Sequence, residues 1–343
     1  MELRTLGRTG MKVSPLCLGA MMFGGWGNPD HVDSVNVIHR ALDAGINFID
    51  TADVYSQGES EEIVGEALAG GRRDDVILAT KVHGQMGDDP SHSGNSRRWI
   101  SREVESSLRR LQTDWIDLYQ IHRPSPDTDI DETLGVLSDL QRAGKIRAFG
   151  SSTFPASEIV EAQWVADRRQ RERFVCEQPP YSVLSREIEQ DVLPICLRHG
   201  MGVIGWSPLA GGWLSGRLRK GKETVQTPRS QRMPERFDLA VPANQAKMDA
   251  VEELALLAEE AGMPLIDLAL AFVIEHPAVT SAIIGPRTMD QLEGQLGAGD
   301  KTLSSDVLDR IDEIVPPGST VGGLGGYAGT PALQPVARRR SAA

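Results

Sequence analysis

The chain has 343 residues, enough for two average domains or one large α/β barrel. Its 40% apolar and 24% charged content is that of a globular protein with a sizeable core. A net charge of −12 argues against nucleic acid or an anionic membrane as a general partner, since phosphate recognition needs a basic face.

Taken in chain order, residues 1–15 predict a short hairpin. "SPLCLGAM" then reads as a strand, followed by helical periodicity through Val32, Val35, Ile38 and Leu42. "INFID" precedes a helix from about Ser60 to Ala69, "DVILATK" one from Arg98 to Leu111, and "WIDLYQIH" one from Leu134 to Ala143. "KIRAFGSS", "FVCEQ", "GVIGWSPL" and "SAIIG" continue the alternation. Gly45, Gly144 and Gly200 sit where helix C-caps are expected. Continuous apolar runs suit strands buried on both faces, hence a parallel sheet. Eight such units with no linker predict an α/β fold of the (β/α)8 TIM-barrel type over residues 1–316; an open doubly wound sheet is the alternative.

The unit after strand seven of the barrel is over-long. Its basic loop holds Arg217, Arg219, Lys220, Lys222, Arg229, Arg232 and Arg236, and it is followed by helices over 246–261 and 265–275. Such a loop reads as a lid over a phosphate-bearing ligand or as a solvated segment. Residues 317–343 are rich in Gly, Pro and Ala and read as a flexible tail. Cys17, Cys176 and Cys196 form no C-x-x-C pair and read as buried thiols of a reducing compartment. No secretory h-region or run of about eighteen apolar residues is present, so the cytoplasm is expected. Nothing marks an oligomeric state.

Chemistry in such a barrel gathers at the carboxyl ends of the strands. This sequence places Asp50 after the second run, Tyr55 in the following loop, Lys81 at the end of the third and His122 at the end of the fourth. Singly, each has a plain role: a carboxylate caps a turn, a tyrosine walls a cleft, a lysine snorkels to solvent, a histidine occupies a turn. Jointly they suit proton delivery to an oxyanion. An ammonium lowers a phenol's pKa, a carboxylate keeps that ammonium charged, and an imidazole orients a carbonyl oxygen. Phe23, Trp26, His83 and Trp213 fall in strand-end loops, where they wall a substrate pocket or pack the rim. No H-x-H or H-E-x-x-H pattern points to a metal, so none is expected.

"INFIDTADVYSQGESEEIVGEAL", "ILATK", "WIDLYQIHRPSP", "GKIRAFGSSTF", "GVIGWSPLAGGWLSG" and "SAIIGPRTMDQLEGQL", in this order, resemble the aldo-keto reductase superfamily, and within it bacterial members similar to the potassium-channel β-subunits. The resemblance implies NADP(H) extended over the barrel mouth and Asp50, Tyr55, Lys81 and His122 as a catalytic tetrad, with Tyr55 the general acid. It further implies Trp206 stacked on the nicotinamide, Ser152 and Gln178 at its carboxamide, and Ser207, Leu209 and Gly211 along the pyrophosphate. Gly285, Arg287 and Gln291 fall where the family holds the 2′-phosphate, a role that suits the fixed charge of arginine. Gln295 stands where an Asn commonly holds the adenine, and Thr153 where many members carry Asn. The expected activity is reduction of a small-molecule aldehyde or ketone. A cofactor-binding regulatory subunit with slow turnover is the alternative. No Gly-rich dinucleotide fingerprint follows the first strand, as expected for a barrel that binds its nucleotide without one.

Overall fold

The computed structural model describes residues 1–221 and 233–322. A hairpin of two-residue strands pairs β1 (Arg4–Thr5) with β2 (Lys12–Val13). Eight parallel strands then follow in sequence order: β3 (Leu16–Gly19), β4 (Phe48–Asp50), β5 (Ile77–Val82), β6 (Ile116–Ile121), β7 (Ile146–Ser152), β8 (Cys176–Gln178), β9 (Gly202–Gly205) and β10 (Ser281–Ile284). β10 pairs with β9 on one side and with β3 on the other, Ala282 opposite Leu16 and Ile284 opposite Leu18, so the sheet closes into a barrel and the open alternative is excluded.

Helices fill the crossovers: α1 (His31–Asp43), α2 (Glu59–Leu68), α3 (Arg97–Arg110), α4 (Ile130–Arg142), α5 (Ala156–Arg169) and α6 (Val192–His199). After the long unit come α7 (Pro242–Glu260), α8 (Leu265–Glu275), α9 (Met289–Leu296) and α10 (Ser305–Ile314). α7 begins at Pro242 rather than at Ala246, because proline fits the first helical turn, where its missing N–H is not needed. Asp30, Ser96 and Asp129 cap α1, α3 and α4 with side-chain oxygens that accept backbone N–H groups. The buried face of α1 differs from the expected one. The difference is confined to Val32, which is 72% exposed: Ile38 is buried and Val35 and Leu42 pack partly buried against the core, joined by Ser34, Val37 and Ala41.

Inward-facing residues alternate along each strand, which divides the barrel interior into tiers. Phe48, Ala79, Leu118, Ala148, Cys176 and Ile204 form an apolar lower tier, closed from below by Leu6 and Val13 of the hairpin. Two residues further along the same strands stand Asp50, Lys81, Gln120 and Gln178, all buried. Polarity thus rises toward the carboxyl ends, where the loops gather.

The described part of the tail is attached to the barrel. The Ser319 carbonyl accepts from the Arg186 amide at 2.8 Å, and the Val321 amide donates to the Leu184 carbonyl at 2.9 Å. Residues 323–343 lie outside the described residues. Among the described residues no helix is long and apolar enough to cross a membrane, and no cluster of ligand-type side chains could hold a metal ion.

Candidate active site

Lys81 is fully buried at the end of β5, and each of its polar contacts has a definite direction. Its Nζ donates to Asp50 Oδ2 at 2.5 Å, to the Thr51 carbonyl at 2.9 Å and to the Tyr55 hydroxyl at 3.4 Å. The ammonium also lies 5.0 Å from the centre of the Tyr55 ring. Asp50 Oδ1 accepts from Gln120 Nε2 at 3.0 Å and from Gln178 Nε2 at 2.8 Å. His122 meets Tyr55 edge to face, ring centres 5.6 Å apart and planes at 82°. The four side chains expected to converge therefore do so.

Tyr55 reaches this position on an unusual turn. Ser56 and Gln57, which follow it, are left-handed at φ 49° and 56°, a conformation that costs energy in residues with a β-carbon. Gly58 continues at φ 102°, where a β-carbon would also meet the Arg110 side chain at 2.7 Å. α2 starts immediately afterwards, so the turn is held between the end of β4 and a helix start.

The electrostatics of the site settle its resting protonation. Burial acts first on Lys81 and would lower its pKa, but Asp50 and then Tyr55 reverse the balance, and the ammonium is held above its ordinary value. Burial pushes the Tyr55 phenol up; Lys81 opposes this and Asp50 adds to it, and the net shift is upward. The expected lowering of the Tyr55 pKa is thereby corrected: Lys81 acts in the expected direction, but desolvation outweighs it. The Tyr55 phenol is consequently protonated at neutral pH. Burial, followed by the charges of Lys81 and Arg123, drives His122 well below the ordinary histidine value, so its imidazole is neutral and presents one N–H and one lone pair.

On the far side of the mouth Trp206 is half-buried at the end of β9, and its Nε1 donates to Thr153 Oγ1 at 3.3 Å. Arg123 also donates to that hydroxyl, and its guanidinium lies 5.8 Å from the centre of the Trp206 ring. Thr153 itself is left-handed at φ 57°, which explains why Asn, tolerant of that region, suits the position. Ser152 donates to the Gln178 carbonyl at 2.9 Å, and Gln178 Nε2 is engaged by Asp50 and Gln120. Ser207 (φ 60°), Ala210 (φ 50°) and Gly211 (φ 71°) give the loop after β9 a left-handed course, with Ser207 Oγ accepting from the Gly211 amide and Leu209 half-buried between them. After β10, Gly285 is exposed and Arg287 half-buried ahead of α9; the Arg287 amide donates to Gln291 Oε1 at 2.9 Å. Gln295 is buried, its Nε2 donating to the Gln291 carbonyl.

The expected pocket wall divides in two. Trp26 stands at the mouth, 38% exposed, its ring centre 6.1 Å from that of Tyr55. His83 is partly buried and bonded through Nδ1 to Asn95 Oδ1 at 2.9 Å. Phe23 is fully buried in the core, and Trp213 is buried and stacks on Phe237 with ring centres 5.5 Å apart. Within the basic loop, Lys222, Arg229 and Arg232 lie outside the described residues. Arg219 pairs with Glu252 and Glu259, and Lys220 with Asp249, so these two cations are held by α7.

Sequence reading missed Gln120 and Arg123. Gln120 lay two residues before His122 on an apolar strand, so inward parity alone would have placed it beside Asp50.

Comparison with known proteins agrees with this geometry. The model of the aldo/keto reductase family matches residues 15–316. An uncharacterized oxidoreductase of Bacillus subtilis (strain 168), YrpG, is 38% identical over 92% of this chain and 96% of its own length. The aldo-keto reductase YhdN of the same organism is 36% identical over 92% of this chain and 94% of its own. A probable voltage-gated potassium channel β subunit of Arabidopsis thaliana is 34% identical over 92% and 97%, respectively. With a family match across the whole barrel and these relatives along nearly its full length, the chain belongs to the aldo/keto reductase family.

Proposed function

We propose that the protein reduces an aldehyde or ketone to the alcohol with NADPH, Tyr55 acting as general acid. The observation that carries this reading is the single ammonium of Lys81 held between Asp50 and the Tyr55 hydroxyl, with a neutral His122 edge-on to the same phenol. NADPH, when bound, supplies hydride to the carbonyl carbon. The residues present fit that cofactor: the Trp206 indole stays half-open beside Thr153, and open space surrounds the positions a β-carbon would take on Gly285 and Gly294. Arg287 precedes the N-terminus of α9, whose backbone N–H groups and dipole favour an anion.

In this reading the carbonyl oxygen sits within about 3 Å of both the Tyr55 hydroxyl and a His122 N–H. Both donors stabilise negative charge as it develops on that oxygen. Tyr55 gives up its proton, and the nearby Lys81 ammonium stabilises the phenolate left behind. Asp50 keeps Lys81 charged and aimed. A phenol with a raised pKa remains a competent donor here, because an alkoxide is a base about as strong as hydroxide and far stronger than a phenolate.

The three buried free thiols support a reducing, cytoplasmic setting. NADPH oxidation followed spectrophotometrically against a panel of aldehydes, ketones and quinones tests the activity. Tyr55→Phe is expected to lower turnover by at least about a hundredfold while leaving NADPH affinity nearly intact; turnover near the wild-type rate in that variant would refute the assignment of the acid. The similarity to channel β subunits supports a second reading, a cofactor-bound regulatory subunit. A single burst of NADPH oxidation without sustained turnover on any panel member would favour it.

A further inference from the structure

Behind the turn that presents Tyr55 lies a largely buried group of charges. Asp53 and Glu61 are fully buried and Glu103 nearly so. Arg110 Nε donates to Glu61 Oε2 at 2.7 Å, and its Nη2 to Glu103 Oε1 at 2.5 Å. Thr80 donates to the second oxygen of Glu61 at 2.5 Å. Both ion pairs of Arg110 among the described residues therefore go to the glutamates, and neither reaches Asp53.

Asp53 nonetheless holds the turn. Its amide donates to the Lys81 carbonyl at 3.1 Å, and its Oδ1 accepts from the Val54 amide at 2.6 Å. One residue thus ties the end of the catalytic-lysine strand to the start of the turn that carries the phenol. The left-handed Ser56 and Gln57 store strain in that turn, and strained backbone persists only when its surroundings hold it. Asp53 Oδ2, in contrast, has no hydrogen-bond partner, and neither does the hydroxyl of Tyr119, a fully buried residue of β6.

An ionised oxygen in this place would face two glutamates that share one guanidinium, without a donor of its own. Burying such a charge costs far more than burying a neutral hydroxyl. We propose that Asp53 is a positioning residue for Tyr55 that works as a neutral carboxylic acid: Oδ1 holds the Val54 amide, Oδ2 carries the proton, and loss of that proton loosens the turn that presents the phenol. This role rests on the reading of Tyr55 as the acid. The groups around Asp53 agree on the sign. Burial first, then Glu61 on α2 and Glu103 on α3, push its carboxyl well above the ordinary value, against the Val54 amide and Arg110. Burial pushes the Tyr119 phenol up as well, so this neighbour is also neutral.

A carboxyl whose native pKa is raised binds its proton more tightly folded than unfolded. Its contribution to stability is therefore full below the ordinary carboxyl value and is lost as pH rises toward the native one. Asn reproduces the neutral acid, with NH2 in place of OH. Asp53→Asn is accordingly expected to unfold at a higher temperature than the wild type at neutral and mildly alkaline pH, with the gap closing as pH falls toward 4. An Asn variant that melts lower than the wild type at neutral pH would overturn the neutral acid, whatever the enzyme's activity. For positioning, Asp53→Ala should lower kcat at least about tenfold, with little change in NADPH affinity, and Asp53→Asn should restore it. Unchanged kcat in the Ala variant overturns the positioning role. Should the Ala variant fail to fold, the alkaline limb of kcat decides: it moves to higher pH in Asp53→Asn, and an unmoved limb overturns the proposal. A wild-type protein that reduces no carbonyl refutes Tyr55 as the acid, and the melting comparison still judges Asp53.

Discussion

Lys81 uses three contacts to join three parts of the site: a carboxylate, a backbone carbonyl and the phenol. Lys81→Met should leave Asp50 buried with only the amides of Gln120 and Gln178. Removing one partner of a buried pair costs about 3–5 kcal/mol, and urea unfolding measures that loss. The same variant should lose at least about a hundredfold in kcat/KM. The downward shift of His122 has a different consequence. With its pKa well below 6.5, the imidazole stays neutral through the physiological range, so kcat/KM should show no fall near pH 6.5 as the medium is acidified. A wild-type acid limb centred there and absent from His122→Asn would contradict it. At Thr153 the left-handed backbone is held by a β-branched residue. Thr153→Asn keeps an acceptor for Arg123 and Trp206 and should raise stability by up to about 1 kcal/mol, read from the urea midpoint.

At the scale of elements, the hairpin depends on one glycine. Gly7 has φ 52°, and a β-carbon there would meet the Val175 carbonyl oxygen at 2.4 Å and the Gly202 amide nitrogen at 2.7 Å. Gly7→Ala should therefore push the hairpin off the barrel floor and destabilise the fold by about 2 kcal/mol or more, again measured by urea unfolding. The barrel strands were legible because burial on both faces makes most of them continuous apolar runs, although β7 carries the exposed Arg147, and Asp50, Lys81 and His122 were legible because they end such runs. Less legible was anything set by packing between elements. Val32 follows the helical period of α1 yet points to solvent, since periodicity says which residues share a face but not which of them the rest of the fold covers. Phe23 and Trp213 share the aromatic character of Trp26, and only the fold separates the buried rings from the exposed one. The Tyr55 shift was misjudged for a related reason: a charge partner is visible in sequence, whereas desolvation depends on everything packed around it.

Across the whole molecule, buried carboxyls make stability depend on pH in an uncommon direction. Glu177 at the end of β8 is fully buried; burial raises its pKa from 4.5 to about 7, against the Ser151 hydroxyl that donates to it at 2.5 Å. The folded protein holds that proton more tightly than the unfolded chain, so stability should fall as pH rises from 4.5 to about 7. The size of this contribution is about 3 kcal/mol. Glu177→Gln should remove it, and the difference between the two melting curves across that range checks the sign.

The upper tier inside the barrel has a consequence for how the protein comes into being. Asp50 belongs to β4, Lys81 to β5, Gln120 to β6 and Gln178 to β8, so the carboxylate has its full set of donors only when strands far apart in sequence have met. A half-assembled cylinder without β8 would pair Asp50 with Lys81 and Gln120 but leave it without the Gln178 donor. The chemistry therefore doubles as a seal: during renaturation, regained reductase activity should coincide with the last strand pairing and trail the return of helical signal.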